Sequence, residues 1–183
     1  MNDRIRKIVV TGVLGAISAF LGITHWGFIP WIAGASLTIM HVPVIIGAVL
    51  EGPVVGALIG LIFGVFSLIQ AAVAPSGPTD VWFTNPLLSV LPRLFIGPAS
   101  WLVWNALKKS PAAGLVLSGI TGSLVNTGLV LGMIGVLGRV PWQALPAIAL
   151  ANGLPEAAAS AILVLLVVAA VRQIRIGRGK SRL

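Results

Sequence analysis

The 183-residue sequence has no cysteine and very few charged residues. Without thiols the chain can form neither disulfide bonds nor thiolate metal sites, and its two histidines, His25 and His41, are too far apart for a local metal motif. Charged residues make up 9% of the chain and hydrophobic residues 57%, whereas soluble domains carry about 25% charged residues. A water-facing globule could not cover its surface with so few charges, so the composition predicts an integral membrane protein.

Several catalytic motifs are absent as well. The sequence contains no GxxxxGK[ST] loop for nucleotide phosphates, no HExxH and no GxSxG. No nucleophile is recognisably paired with a base, and no internal repeat of the kind found in self-contained carriers is evident. We therefore expect a binding protein that is not an enzyme, needs no metal or other cofactor, and depends on an external motor if it transports.

Apolar segments long enough to cross a bilayer, about 20 residues each, recur along the chain. They predict an all-α fold of six transmembrane helices, at residues 8–23, 31–50, 54–73, 86–107, 112–137 and 145–171. The first segment is expected to remain in the mature protein, because no clear cleavage site follows it. The chain is thus a single six-helix membrane domain with a basic tail, residues 172–183.

Lysine and arginine are distributed unequally between the two predicted sides. One side carries ten of them: Arg4, Arg6, Lys7, Lys108, Lys109, Arg172, Arg175, Arg178, Lys180 and Arg182. The other side carries Arg139. The positive-inside rule then places both termini in the cytoplasm. The net charge of +8 is explained by topology and by attraction to the lipid bilayer, so no nucleic acid partner is expected.

Small residues recur at four-residue spacing in two helices. The first helix has the pairs Gly12/Ala16 and Gly15/Ala19, and the third has the ladder Gly52, Gly56, Gly60 and Gly64. Such stripes let helix backbones approach closely in lipid. Each stripe could serve either packing within the protein or docking of another membrane protein.

Arg93 lies inside an apolar run, on the same helix face as Asn85 and Ser89. An unpaired arginine at the bilayer centre costs from about 3 to over 10 kcal/mol, so it needs a partner or water. Pro92 cannot donate to the carbonyl of Leu88 and should kink the helix. We expect that carbonyl to be left free beside Arg93.

Further polar residues follow on the next two helices: Asn126, then Asn152 and Glu156 around a second proline, Pro155. That proline should kink the last helix and bring Asn152 and Glu156 to the depth of Arg93. Two interpretations remain open. Arg93 and Glu156 could neutralise each other as a buried pair, or the polar residues could bind a small ligand whose carboxylate the guanidinium clamps.

Asn85, Trp82 and the loop around them also allow two interpretations. Asn85 could cap the helix that begins at Pro86 or contact a ligand. Trp82 could belong to an interfacial aromatic belt or stack over a ligand. The loop of residues 74–84 could be a lid or a plain connector.

Taken as a set, several segments resemble the substrate-binding S components of energy-coupling factor (ECF) vitamin transporters, most closely the pantothenate and vitamin B6 types. The segments are the small-residue first helix, TIMHVPVIIGA (38–48), EGPVVGA (51–57), TNP to VLPR (84–93), VNT (125–127) and NGLPE (152–156). The resemblance implies a multi-pass protein of a prokaryotic plasma membrane with both ends cytoplasmic. It also implies high-affinity capture of a water-soluble vitamin near the outer surface.

The same resemblance implies partners. S components dock through small residues of the first helix, here Gly12, Gly15, Ala16 and Ala19, onto a membrane coupling (T) component that sits on two ATP-binding subunits. Pantothenate is our preferred ligand, with Arg93 on its carboxylate, Asn126 and Asn152 on its amide and hydroxyls, and Asn85 and Glu156 at the edges. A vitamin B6-type ligand is the alternative if Glu156 engages Arg93, and a structural subunit of another membrane complex is the alternative of a different class.

Overall fold

The computed structural model of the chain describes residues 2–30, 36–75 and 77–173. In chain order the elements are α1 (Asp3–Ile23), a hairpin of β1 (Phe28–Pro30) and β2 (Ser36–Thr38), α2 (Val42–Glu51), α3 (Pro53–Val73), a 3₁₀ helix (Asp80–Thr84), α4 (Pro86–Ser89), α5 (Leu91–Ala106), α6 (Pro111–Val136), α7 (Leu145–Ile148), a π-helical turn (Ala149–Gly153) and α8 (Leu154–Arg172).

Five segments of the described chain are long and apolar enough to cross a membrane. They are Asp3–Ile23, Pro53–Val73, Pro86–Ala106, Pro111–Val136 and Leu145–Arg172. With the shorter apolar helix α2 they form a six-segment membrane bundle, which confirms the predicted fold class. The fourth and sixth segments are interrupted at Val90 and at the π-helical turn, next to the prolines that predict kinks there.

The second segment differs from its prediction. Residues 31–50 are not one helix, because α2 begins at Val42 and residues 36–38 form an extended strand that pairs with residues 28–30; residues 31–35 lie outside the described chain. Pro43 sits in the first turn of α2, where its missing N–H and its ring prevent the helix from extending toward the N-terminus. Ten helical residues rise only about 15 Å, so the hairpin supplies the rest of this segment.

Helix α2 is the centre of the packing. Its residues from Val42 to Val49 are all buried, and it packs against α1, α3, α5, α6 and α8. Together with Ile59 of α3 and Ile96 of α5 they form the main apolar cluster. The strand that precedes this short helix is tied to α8, because the backbone N–H of Thr38 donates to the Glu156 carboxylate at 2.7 Å.

The first, second and last helices meet at one end of the bundle, which we call the basal end. Arg6 of α1 forms an ion pair with Glu51 at the end of α2, with 3.0 Å between Nη2 and Oε2. Arg172, the last residue of α8, donates to the carbonyls of Val49 and Leu50 at 2.8 and 3.2 Å. Both ends of the described chain therefore lie on the same side, as an even number of crossings requires.

Three of the four glycines of the ladder pack inside the protein, whereas a Cβ built on Gly52 would have no atom within 4 Å. Gly56 faces Gly97, Gly60 lies beneath the carbonyl of Arg93, and a Cβ on Gly64 would stand 2.8 Å from the carbonyl oxygen of Ser89. The two backbones approach too closely for any side chain between them. Of the two roles left open for this stripe, the structure supports internal packing of α3 on α4 and α5.

Candidate functional site

A cavity of about 690 Å³ opens at the end of the bundle opposite Glu51. Its walls come from the second half of α3, the start of α5, the second half of α6 and the segment from α7 to the start of α8. The hairpin and the loop between α3 and α4 close around it through Thr38, Gly77, Pro78, Thr79, Asp80 and Phe83. The cavity is thus formed where the helix interruptions lie, because straight helices packed along their whole length would leave no such space.

Arg93 projects into this cavity and is only 6% exposed. Its Nη1 donates to the carbonyl of Leu88, the acceptor that Pro92 leaves free, as predicted. The guanidinium carbon also lies 5.3 Å and 5.2 Å from the ring centres of Phe63 and Phe83. Cation–π contacts of this kind stabilise a desolvated arginine without neutralising its charge.

Glu156 lines the same cavity but is held by other groups. Its Oε1 accepts from the backbone N–H of Thr38 at 2.7 Å, and its Oε2 accepts from the hydroxyl of Thr127 at 3.3 Å. Within the described residues no salt bridge joins Glu156 to Arg93. The buried-pair interpretation therefore lacks its direct contact: the two opposite charges attract each other, but among the described residues no carboxylate bonds to the Arg93 guanidinium.

Asn126 and Asn152 line the cavity, and each has a buried side-chain oxygen. The side-chain oxygen of each has no hydrogen-bond partner, and the same is true of Nε of Arg93 and the hydroxyl of Thr38. Buried polar atoms are nearly always paired, so several unpaired ones around a single space are typical of a site for a polar ligand. Asn152 owes its position to the π-helical turn just before Pro155, a distortion that often occurs at functional sites.

Asn85 and Trp82 do not line the cavity. The side chain of Asn85 accepts from the backbone N–H of Leu87 at 2.9 Å and so caps α4, which leaves it engaged in helix capping. Trp82 packs instead against a small apolar cluster around Leu88. The ligand contacts expected of these two residues are therefore not supported, and the loop that carries them reaches the cavity through Phe83.

Sequence reasoning missed several residues of the site, in particular Phe63, Gln70 and Phe83. Phe63 and Gln70 are seven residues apart on α3 and share a helix face, so an isolated glutamine in an apolar helix was a usable signal for that face. The sequence gives no such signal for Phe83, because two adjacent aromatic residues in a loop do not show which of them points inward.

The small residues of α1 lie on two different faces. Gly15 is buried, and a Cβ there would stand 2.7 Å from Cδ1 of Ile62 on α3, while Ala19 is half-buried. Gly12 and Ala16 are exposed, with no atom within 4 Å of a Cβ built on Gly12. Only the Gly12/Ala16 face is therefore open along its length to another molecule.

These features define a multi-pass membrane protein with a chamber for a small polar ligand at one end. Comparison with known proteins gives the family: the model of the ECF transporter substrate-specific component matches residues 6–169, and the chain belongs to that family. It is a transporter subunit of the cell membrane and not an enzyme.

Two curated relatives resemble the chain over most of its length. The pantothenate transporter PanT of Leuconostoc mesenteroides is 31% identical over 140 residues, which cover 71% of this chain and 69% of the relative. The pantothenic acid transporter PanT of Lactococcus lactis is 29% identical over 157 residues, which cover 75% of this chain and 79% of the relative.

Proposed function

We propose that this substrate-specific component captures pantothenate. The observation that carries the proposal is Arg93, a buried cation in the cavity with no carboxylate partner among the described residues. Pantothenate is a carboxylate with one amide and two hydroxyls. Its carboxylate would complete the hydrogen bonding of Arg93, while its O–H and N–H groups would donate to the free oxygens of Asn126 and Asn152. The names of the two relatives support the same ligand.

A vitamin B6-type ligand is less well supported. Pyridoxine carries no carboxylate and would leave the buried guanidinium of Arg93 without an ion-pair contact. That ligand was favoured only if Glu156 engaged Arg93, and the Glu156 carboxylate is instead bound by Thr38 and Thr127. Membership of the ECF family also removes the reason to consider a structural subunit of an unrelated complex.

The experiment compares two ligands on two proteins. Pantothenate and pantothenol, in which an alcohol replaces the carboxylate, are titrated into the parent protein and into Arg93→Ala. We expect the parent to prefer pantothenate and Arg93→Ala to bind it about 10- to 100-fold more weakly, since hydrogen bonds to charged groups contribute about 1.5–3 kcal/mol. The variant should also lose the preference over pantothenol.

Arg139→Ala is the matched control. Arg139 is exposed and does not line the cavity, so its removal makes the same charge change and should leave both affinities unchanged. If Arg93→Ala binds pantothenate as tightly as the parent, the carboxylate clamp is wrong.

ATP-driven uptake of the ligand requires partner subunits. We propose that the exposed Gly12/Ala16 face of α1 docks on a membrane coupling component that carries two ATP-binding subunits. Gly12→Trp should then abolish ATP-driven uptake while ligand binding by the isolated subunit is retained. Leu102→Trp places the same bulk on an exposed position of α5 and should preserve uptake; equal loss in both variants would contradict this docking face.

A further inference from the structure

A second cavity, of about 340 Å³, lies at the basal end of the bundle. We call it the basal pocket; its cationic side chains are Arg6, Lys7, Lys108 and Arg172. They come from three different parts of the chain, namely the start of α1, the turn after α5 and the end of α8. The substrate cavity shares none of these residues, so the two spaces are separate.

Two of the four cations are held in place by the protein. Arg6 pairs with Glu51 through both Nε and Nη2, at 3.1 and 3.0 Å. Arg172 donates to the carbonyls that end α2, and its guanidinium carbon lies 5.2 Å from the centre of the Trp104 ring. These contacts fix the base of the pocket.

The other two cations are not engaged. Neither the Lys7 nor the Lys108 side chain has a hydrogen bond or an ion pair within the described residues. The pocket contains two acidic residues, Asp3 and Glu51, and the carboxylate of Glu51 is already bound by Arg6. An excess of positive charge therefore remains in a concave space, and its two free ammonium groups match the oxygens of a phosphate.

The surroundings of the pocket are those of a membrane interface. Trp101 and Trp104 line it, and tryptophan is the residue that concentrates at the level of lipid head groups. On either side the helices expose apolar side chains, Ile5 and Ile8 on α1 and Leu102 on α5. A ligand with a phosphate and long acyl chains would match both the charged pocket and the apolar faces beside it.

We infer that the basal pocket is a specific site for the phosphate head group of an anionic phospholipid. Lys7 and Lys108 bind the phosphate oxygens directly, and Arg6 and Arg172, at the base of the pocket, add to the positive electrostatic potential there. Basic pockets between membrane helices are known to bind anionic lipid head groups in this way. The site lies at the opposite end of the bundle from the substrate cavity and shares no residue with it.

The test uses the full-length protein purified in detergent. Phosphatidylglycerol, phosphatidylcholine and inorganic phosphate are titrated separately, and native mass spectrometry counts the bound lipid and gives apparent affinities. The parent is expected to bind phosphatidylglycerol in preference to phosphatidylcholine. The double variant Lys7→Gln/Lys108→Gln should bind it about 30-fold more weakly, because two basic residues that contact the phosphate are removed.

A matched double variant separates the pocket from general surface charge. Arg4→Gln/Lys109→Gln removes two charges from neighbouring positions that do not line the pocket and should weaken the binding of phosphatidylglycerol much less than Lys7→Gln/Lys108→Gln does. Equal weakening in the two double variants would show diffuse attraction and overturn the site. Binding of inorganic phosphate with the same dependence on Lys7 and Lys108, and no preference for phosphatidylglycerol, would overturn the lipid assignment.

Discussion

At the scale of single residues, the site depends on how two opposite charges are kept apart. Arg93 and Glu156 both lie in the cavity, each about 6% exposed, yet each is stabilised by other neighbours. Arg93 has a carbonyl and two aromatic rings, and Glu156 has a backbone N–H and a hydroxyl. Because Arg93 and Glu156 form no ion pair with each other within the described residues, the cavity retains a cation that can bind an anionic ligand.

The bond from Thr38 to Glu156 predicts a positioning role for this carboxylate. It ties the strand β2 to α8 across 118 positions of sequence, and β2 forms part of the cavity wall. Glu156→Gln keeps an oxygen for the Thr38 N–H and should bind pantothenate within about threefold of the parent. Glu156→Ala leaves that donor unpaired, at about 1–3 kcal/mol, and should weaken binding about tenfold and lower the Tm.

Ligand titration and thermal unfolding of the two variants test this role. Thr127→Val is the control, because it removes only the longer 3.3 Å bond and should have the smaller effect. If Glu156→Gln is as defective as Glu156→Ala, the negative charge itself is needed and the positioning role is wrong.

The polar part of the site could be predicted because polarity is rare in this chain. Arg93, Asn126, Asn152 and Glu156 stand out in apolar helices, and all four line the cavity. The aromatic part could not be predicted in the same way. In a membrane helix an aromatic side chain is equally compatible with lipid, with the core and with a ligand, so Phe63 gave no signal of its own.

At the scale of elements, the contact between α3 and α5 links packing to the site. A Cβ on Gly60 would collide with the backbone carbonyl of Arg93, which cannot move aside without moving the guanidinium. Gly60→Ala should therefore destabilise the protein by about 1–3 kcal/mol and weaken pantothenate binding as well. Thermal unfolding and ligand titration measure the two effects.

Gly12→Ala provides the comparison for Gly60→Ala, because Gly12 is also a helical glycine but has no atom within 4 Å of its Cβ position. Alanine is better than glycine in a helix by about 1 kcal/mol, so this variant should be as stable as the parent or more stable. A Gly60→Ala protein with parental stability and affinity would show that α3 and α5 can separate without cost.

Five of the six segments predicted from hydropathy coincide with long apolar helical segments of the structure, although the first of these begins at Asp3 and not at residue 8. The second segment could not be predicted, because the whole apolar run of residues 31–50 fits the hydropathy of a transmembrane helix, whereas in the part that the structure describes the helix begins only at Val42. Pro43 marked the true start of α2, but a proline near the middle of a long apolar run is also compatible with a kinked transmembrane helix. Tertiary contacts favour the extended conformation before α2, among them the hydrogen bond from Thr38 to Glu156.

At the scale of the whole molecule, the two ends of the bundle have opposite characters. Among the described residues, the pocket at the basal end has four cations and two carboxylates, whereas the substrate cavity at the other end has one cation, Arg93, and the carboxylates of Glu156 and Asp80. In an importer the substrate cavity must open to the outside of the cell to collect its ligand, so the basal end must face the cytoplasm. The positive-inside rule gives the same direction independently.

The last prediction is therefore the orientation of the chain, with both termini and the basal pocket in the cytoplasm. Because the native sequence has no cysteine, each single-cysteine variant reports one position without background. In intact cells a membrane-impermeant maleimide should label Arg139→Cys, in the turn between α6 and α7, and should leave Arg4→Cys and Lys109→Cys unlabelled. After the cells are permeabilised, all three should react, which controls for burial of the thiols.

Labelling of the Arg4 and Lys109 variants but not of the Arg139 variant in intact cells would show the opposite topology. The substrate cavity would then face the cytoplasm, and the role of the protein in capture from outside would have to be abandoned.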